Sequence, residues 1–375
     1  METVGNNKIK KKGFLGEIAF IRGIACLCVL MVHVSAAYFY ENGQTFNATT
    51  KFLNQVSRFG TPAFAMLSGF LLYNQLINRN FTVKRFLQSR FTKILMPFVI
   101  WSLIYLALKW NYNLFNFPKW NSAEEVKEFF YIFLSGKSQY HLYFIAVVVQ
   151  FYILFPLLRY FKSKQSLIIL TLIAFYINYF FSKYPVNLGS GYLNMFISER
   201  GFILHWIYYF LIGGLLVHYW EKIIDWTKNN RAICFWAVGI IIIGAVFEYS
   251  FTMWIASNRA INMITLPILF IALSGIYYAL SSASKVKEAI VSIGNLSMGI
   301  YLVHPLILFY IQHYDMFNSI FRVRYLPLIY LTVLAACIAI VLLIAKLPFG
   351  QFVVTISEPK KAVPKPKETP IMSAG

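Results

Sequence analysis

Apolar residues along this chain gather into ten long runs, near 18–39, 59–77, 94–110, 141–161, 166–182, 202–220, 232–254, 261–281, 289–312 and 325–346. Each run is close to the ~20 residues that a helix needs to cross a bilayer, where every backbone N–H and C=O must find its partner within the segment. The pattern predicts an all-α fold: a polytopic membrane helix bundle of about ten transmembrane helices. The polar stretches between the runs are short except for 111–140, so no soluble domain of useful size is expected outside the spans. Within that stretch, NSAEEVKEFFYIFLSG places Ser122 three residues before Glu125 and ahead of an apolar run. This is a capping signal for a short helix on the outer surface.

Three divisions follow. Residues 1–14 form a basic N-terminus, 15–347 form the transmembrane domain, and 348–375 form a Pro- and Lys-rich tail expected to be disordered and to touch the inner leaflet. The start, KIKKKGFLG followed by an apolar run and SAA, imitates a cleavable signal peptide. Glu17 and Arg22 interrupt the apolar core such a peptide requires, so the run is taken as the first span. There is no repeated block or inverted duplication of the kind many secondary transporters carry.

Composition agrees. Hydrophobic residues make up 59% of the chain and charged residues 13%, against about 45–50% and about 25% in soluble domains. The net charge of +20 would suggest nucleic acid if the basic residues were clustered on one surface, but their placement excludes it. With the N-terminus inside, 22 of the 34 Lys and Arg residues fall in cytoplasmic segments and 10 in outer loops, leaving Arg22 and Lys109 in or beside spans. This is the positive-inside pattern, and an even number of spans returns the C-terminus to the cytoplasm. The expected location is the cell membrane, as a multi-pass protein among membrane lipids, with no nucleic-acid partner. The four cysteines, Cys26, Cys28, Cys234 and Cys337, all fall inside predicted spans and suggest neither a disulfide framework nor a metal site.

The first span, FIRGIACLCVLMVHVS, contains two residues that lipid rejects, Arg22 and His33. Eleven residues of helix turn through about 1100°, three turns plus roughly 20°, so both lie on one face and are separated by about 16.5 Å of rise. Arg22 near the cytoplasmic end would snorkel if it stood alone. His33 lies too deep for that explanation, although a lone histidine there could also be a packed residue bonded to a neighbouring helix. A guanidinium at the inner mouth suits phosphate, and an imidazole near the far side suits a general base.

These residues carry a resemblance. The chain resembles the acyltransferase 3 family of integral membrane acyltransferases over about residues 15–345, and is similar to the membrane proteins of polysaccharide intercellular adhesin biosynthesis. Arg22 and His33 match the arginine, ten residues, histidine pattern of the family's first helix. FGTPAFAMLSGFLLY (59–73) resembles its second helix with the Ser68-Gly69 pair, and RFTKILMPF (90–98) resembles the basic pair before the third, with Arg90 and Lys93 in position. Lys93 departs from the usual arginine, keeping the charge but losing the bidentate fork. HLYFIAVVVQFYILFPLL (141–158) and LSMGIYLVHPLILF (296–309) resemble the fourth and ninth helices, and SERGFILHWIYYFLIGG (198–214) places Glu199 at the outer mouth of an aromatic helix.

The resemblance implies acyl-CoA as co-substrate on the cytoplasmic side and a carbohydrate hydroxyl as acceptor on the outer side. No metal and no permanently bound cofactor are implied. The expected catalytic residues are His33 and Glu199, and Arg22, Arg90 and Lys93 are expected to hold the CoA phosphates. Ser68 and His304 are expected to contact substrate, as are His141 and His205, whose places at the outer ends of spans fit interface anchors equally well. For His304 a structural alternative is open, because Pro305 after it frees backbone carbonyls that an imidazole can satisfy. The expected activity is transfer of an acetyl or succinyl group to a cell-surface or extracellular polysaccharide or its precursor, alongside polysaccharide synthesis proteins. A polysaccharide exporter or flippase is the alternative, since it too would place polar residues around a central cavity.

Overall fold

The computed structural model describes residues 16–78, 81–184, 186–314 and 322–357, and among them it contains helices and turns but no strand. The first helix, α1 (Gly16–Glu41), is followed by α2 (Ala48–Val56) and α3 (Gly60–Asn78). Next come α4 (Val83–Arg90) and α5 (Met96–Asn111), joined without a break by a π-turn at Phe91–Leu95. The outer stretch holds α6 (Ala123–Leu134), where the Ser122 hydroxyl accepts from the Glu125 N–H at 3.4 Å. Glu125 does not complete a reciprocal box, since its Oε2 accepts from the Lys119 N–H at 2.7 Å.

Then follow α7 (Tyr143–Leu158), α8 (Lys164–Lys183), α9 (Tyr192–Ser198), α10 (Ile207–Leu216), α11 (Trp220–Asn229) and α12 (Arg231–Thr252). The chain continues through α13 (Asn262–Ala279), α14 (Lys285–His313), α15 (Leu326–Lys346) and α16 (Gly350–Val353). Every apolar run read from the sequence falls on helix, and among the described residues eight helical stretches are long and apolar enough to cross a membrane. The stretches on α3 and α7 are not among the eight. Thr61, Ser68, Asn74, Gln75 and Asn78 dilute the apolar character of α3. The 16 residues of α7 rise only about 24 Å, short of a hydrocarbon core of about 30 Å.

Lipid is the natural solvent for the outside of this bundle. Trp236, Ile240, Ile243, Phe247 and Phe251 recur at helical spacing along α12, and all are exposed. In water they would form a large apolar patch of the kind soluble monomers avoid. The inside has two packed apolar clusters that share α1. Ile18, Ile21 and Ala25 belong to one, with α3, α7, α10 and α13. Cys26, Leu30, Val34 and Tyr38 belong to the other, with α5, α14 and α15.

Helices that lack a hydrophobic driving force between them associate through small residues that let backbones meet. A Cβ on Gly23 would overlap the Ile290 carbonyl oxygen of α14, and one on Gly294 would overlap the Ala19 carbonyl oxygen of α1. The glycine of the Ser68-Gly69 pair has the same use, since it lies against the Phe210 carbonyl of α10.

Beyond α15 the chain does not leave the bundle: Val354 is buried and Trp101 Nε1 of α5 donates to the Val353 carbonyl at 3.0 Å. Residues through 357 are packed, because Val353, Val354 and Ile356 give this stretch an apolar side that the charged residues after it lack. The remainder of the expected tail, 358–375, and the basic N-terminus, 1–14, lie outside the described residues.

Candidate functional site

The two ends of the α1 stripe open onto two different environments. At the Arg22 end lies a cavity of about 600 Å³ walled by α1, α3, the end of α4 and the π-turn after it, α7 and α14 and by residues 355–357. Arg22, Arg90, Lys93 and Ser68 all line it, and none of its lining residues is acidic. Arg90 is held by Gln75, whose Oε1 accepts from Nη2 at 3.2 Å, and its guanidinium lies 5.1 Å from the centre of the Tyr152 ring. Lys93 sits in the π-turn, where the ladder widens to i→i+5, a distortion frequent at functional sites. Arg22 Nη1 donates to the Ser357 hydroxyl at 2.9 Å. The Ser68 hydroxyl spends its proton locally, on the Phe64 carbonyl at 2.8 Å. Three cations and no carboxylate among the described lining residues give this cavity a positive wall.

At the other end, the His33 ring lies 4.9 Å from the ring of His304 and 4.9 Å from that of Tyr140, centre to centre. His141 completes the group, 5.2 Å from His304 and 5.1 Å from Tyr301. The structure therefore brings together three of the expected residues, His33, His141 and His304, from three separate regions of the chain. Tyr301 lines the cavity and also touches the histidines, so it joins the two environments. Its hydroxyl donates to the His141 carbonyl. Tyr105 closes the group from α5, with its hydroxyl donating to the Leu302 carbonyl at 2.7 Å.

The hydrogen bonds assign one tautomer. His304 Nδ1 lies 3.2 Å from the Ile300 carbonyl, which can only accept, so Nδ1 carries the proton and Nε2 is left with a lone pair. That Nε2, and both ring nitrogens of His141, are buried without a partner. Orphaned imidazole nitrogens in an apolar bundle are costly unless something polar enters among them.

Two expected site residues lie elsewhere. Glu199 does not reach an imidazole: its Oε1 pairs with Lys137 Nζ at 2.5 Å and accepts from the Tyr131 hydroxyl at 3.3 Å, at the foot of α6. Lys137 lies close enough to win this carboxylate because the loop after α6 turns back at Gly136, whose φ of +77° L-residues rarely adopt. His205 contacts Phe181 and the Ile197 carbonyl, away from the histidine group.

One residue escaped the sequence reading, where it was only part of the outer charge count. Arg58 is buried just before α3, with Nε and Nη2 donating to Asn54 Oδ1 at 3.1 and 2.8 Å and its guanidinium 3.8 Å from the centre of Trp254. Asn54 in turn donates to the Val32 carbonyl and the Ser35 hydroxyl of α1, on either side of His33. Burial pulls the Arg58 guanidinium down to about 10. The four-residue spacing of Asn54, on α2, and Arg58, in the 3-10 turn that continues it, was the available signal.

Comparison with known proteins agrees with this architecture. The family described as "Acyltransferase domain" matches residues 15–346. The chain is 25% identical over 356 residues to a protein of Staphylococcus aureus (strain MSSA476) named "Probable poly-beta-1,6-N-acetyl-D-glucosamine export protein", covering 90% of this chain and 95% of that one. A protein of Staphylococcus epidermidis with the same name is 24% identical over 360 residues, covering 90% and 94%. No solved structure matches. With the family matched along nearly all of its helical length, the chain belongs to the acyltransferase 3 family of multi-pass membrane acyltransferases.

Proposed function

We propose that the protein is a membrane O-acyltransferase that moves an acetyl or succinyl group from acyl-CoA to a hydroxyl of a cell-surface or extracellular polysaccharide or its precursor. The observation that supports it is the single helix face that carries Arg22 in a cavity with a positive wall and His33 in a group of unpartnered imidazoles, joined through Tyr301. In this reading Arg22, Arg90 and Lys93 hold the CoA phosphates, and the thioester arm runs up the cavity. His33 takes the proton of the acceptor hydroxyl as its oxygen bonds to the thioester carbonyl carbon. The C–S bond then breaks, and the departing thiolate takes that proton from His33. The orphaned nitrogens of His304 and His141 meet acceptor hydroxyls, and acyl transfer is direct, since among the described residues no side chain is placed as an acyl-carrying nucleophile.

The names of the staphylococcal relatives favour a second reading, a polysaccharide exporter. Against it, residues 355–357 wall part of the cavity and the tilted rings of His33, Tyr140 and His304 pack at the other end of the stripe, where a polymer would need an open polar path. Thiol release from acetyl-CoA and succinyl-CoA by the purified protein, with and without sugar acceptors, separates the two. Release that depends on the acceptor and disappears in His33→Ala is the expected result. No release from folded protein, together with polymer trapped inside cells lacking it, would establish the exporter.

A further inference from the structure

We propose that residues 353–357 are a working wall of the donor site and that Ser357 is a positioning residue for Arg22. The proposal rests on the acyl-CoA reading of the inner cavity and goes beyond it by giving the end of the chain a part in donor binding.

Four hydrogen bonds to three helical regions tie down these five residues. The Val353 carbonyl accepts from Trp101 Nε1 at 3.0 Å, and the Thr355 hydroxyl donates to the Lys93 carbonyl at 2.7 Å. The Ser357 N–H donates to the Asn295 carbonyl of α14 at 2.9 Å, and its hydroxyl accepts from Arg22 at 2.9 Å. Thr355, Ile356 and Ser357 then face the same space as Arg22, Arg90 and Lys93. A tail that merely followed the last span would have no reason to touch both of the elements that carry the cations.

The chemistry of the Arg22 contact points to positioning. A guanidinium presents a planar fork of donors, and its usual partner in a buried setting is a carboxylate, which would fix it and also neutralise it. A neutral hydroxyl fixes one arm of the fork and leaves the positive charge uncompensated, with the other donors free for phosphate oxygens. Ser357 thus removes the side-chain freedom that a long arginine would otherwise lose on binding, without competing for the charge.

The test is CoA binding to the full-length, detergent-purified protein, with thermal stability measured on each variant. Ser357→Ala should weaken CoA binding by about five- to tenfold, the scale of one ordinary net hydrogen bond, since the serine acts on CoA only through Arg22. Ser357→Thr should restore it. Ser357→Asp should weaken it more than Ala does, because a carboxylate on Arg22 competes with phosphate; a purely structural serine would show no such order. Unchanged binding in Ser357→Ala and Ser357→Asp, with binding lost in Arg22→Ala, would overturn the proposal while the donor site stood. Binding indifferent to Arg22→Ala, or no CoA binding by the unaltered protein, would remove the donor reading and this proposal with it.

Discussion

The imidazoles of His33 and His304 lie 4.9 Å apart on two helices that touch where Gly23 and Gly294 carry no side chain. The distance between the rings is therefore set more than a helical turn away, by backbone contact. Gly294→Val should push α14 off the Ala19 carbonyl, costing about 1–3 kcal/mol as overpacking does. It should also abolish transfer although neither histidine is altered. Thermal unfolding in detergent alongside thiol release checks both halves; a stable, active Gly294→Val protein would show that the helix contact does not set the site.

His304 and the cations act on different ends of the substrate in the proposed mechanism, so their variants should separate kinetically. His304→Ala removes an acceptor nitrogen at the histidine end and is expected to lower kcat about ten- to a hundredfold while leaving KM for acyl-CoA unchanged. Arg90→Ala should do the reverse, raising that KM with little change in kcat. Steady-state kinetics at saturating acceptor distinguishes the two.

Glu199 is expected to be dispensable for transfer, since its carboxylate is committed to Lys137 and Tyr131. Burial alone would pull the Lys137 ammonium down, but its hydrogen bonds to Glu199 and Tyr131 outweigh that and hold it above its usual value. A raised lysine stabilises the fold at every pH below its unfolded value of about 10.4, and this is lost as pH climbs through the higher folded value. Glu199→Gln should therefore keep its activity and flatten the decline of stability in strongly alkaline solution. An inactive Glu199→Gln would restore the acidic residue to the catalytic group.

Arg58 stays charged through neutral pH, because burial brings it down only to about 10. The sign is that of a lowered base: the cost of burying the charge is present at all pH values below about 10 and is relieved only as pH rises toward the unfolded value of 12.5. Arg58→Met removes that cost, and Asn54 Oδ1 keeps a donor in Gln55 Nε2 at 2.8 Å. Stability should stay within about 1 kcal/mol or rise, as when buried charges give way to apolar groups of similar size. A fall of several kcal/mol in chemical denaturation would mean that the stack on Trp254 holds the outer end together.

The parts of this fold that depend on local pattern were legible in the sequence. Apolar run length marked the helices, the Ser122 signal marked α6, and helical periodicity put Arg22 and His33 on one stripe. What was not legible depends on which distant segments meet. Tyr140 and Tyr301 looked like two among many membrane aromatics until they were found around His33 and His141. Glu199 has an arginine beside it in sequence, yet its partner is Lys137, 62 residues earlier. The packing of residues 353–357 was not legible either, because Val353, Val354 and Ile356 are too few to register as an apolar run.

The contact between Arg22 and Ser357 spans 335 residues, nearly the whole chain. At a synthesis rate of about 5–20 residues per second, roughly 20–70 s separate the emergence of these two residues from the ribosome. Throughout that interval the first helix resides in the bilayer with an arginine whose hydroxyl partner does not yet exist. Anionic lipid headgroups are the natural temporary partner at that depth. Maturation then consists of exchanging lipid for Ser357, so the inner cavity is completed only once residues 353–357 have been made and have folded back.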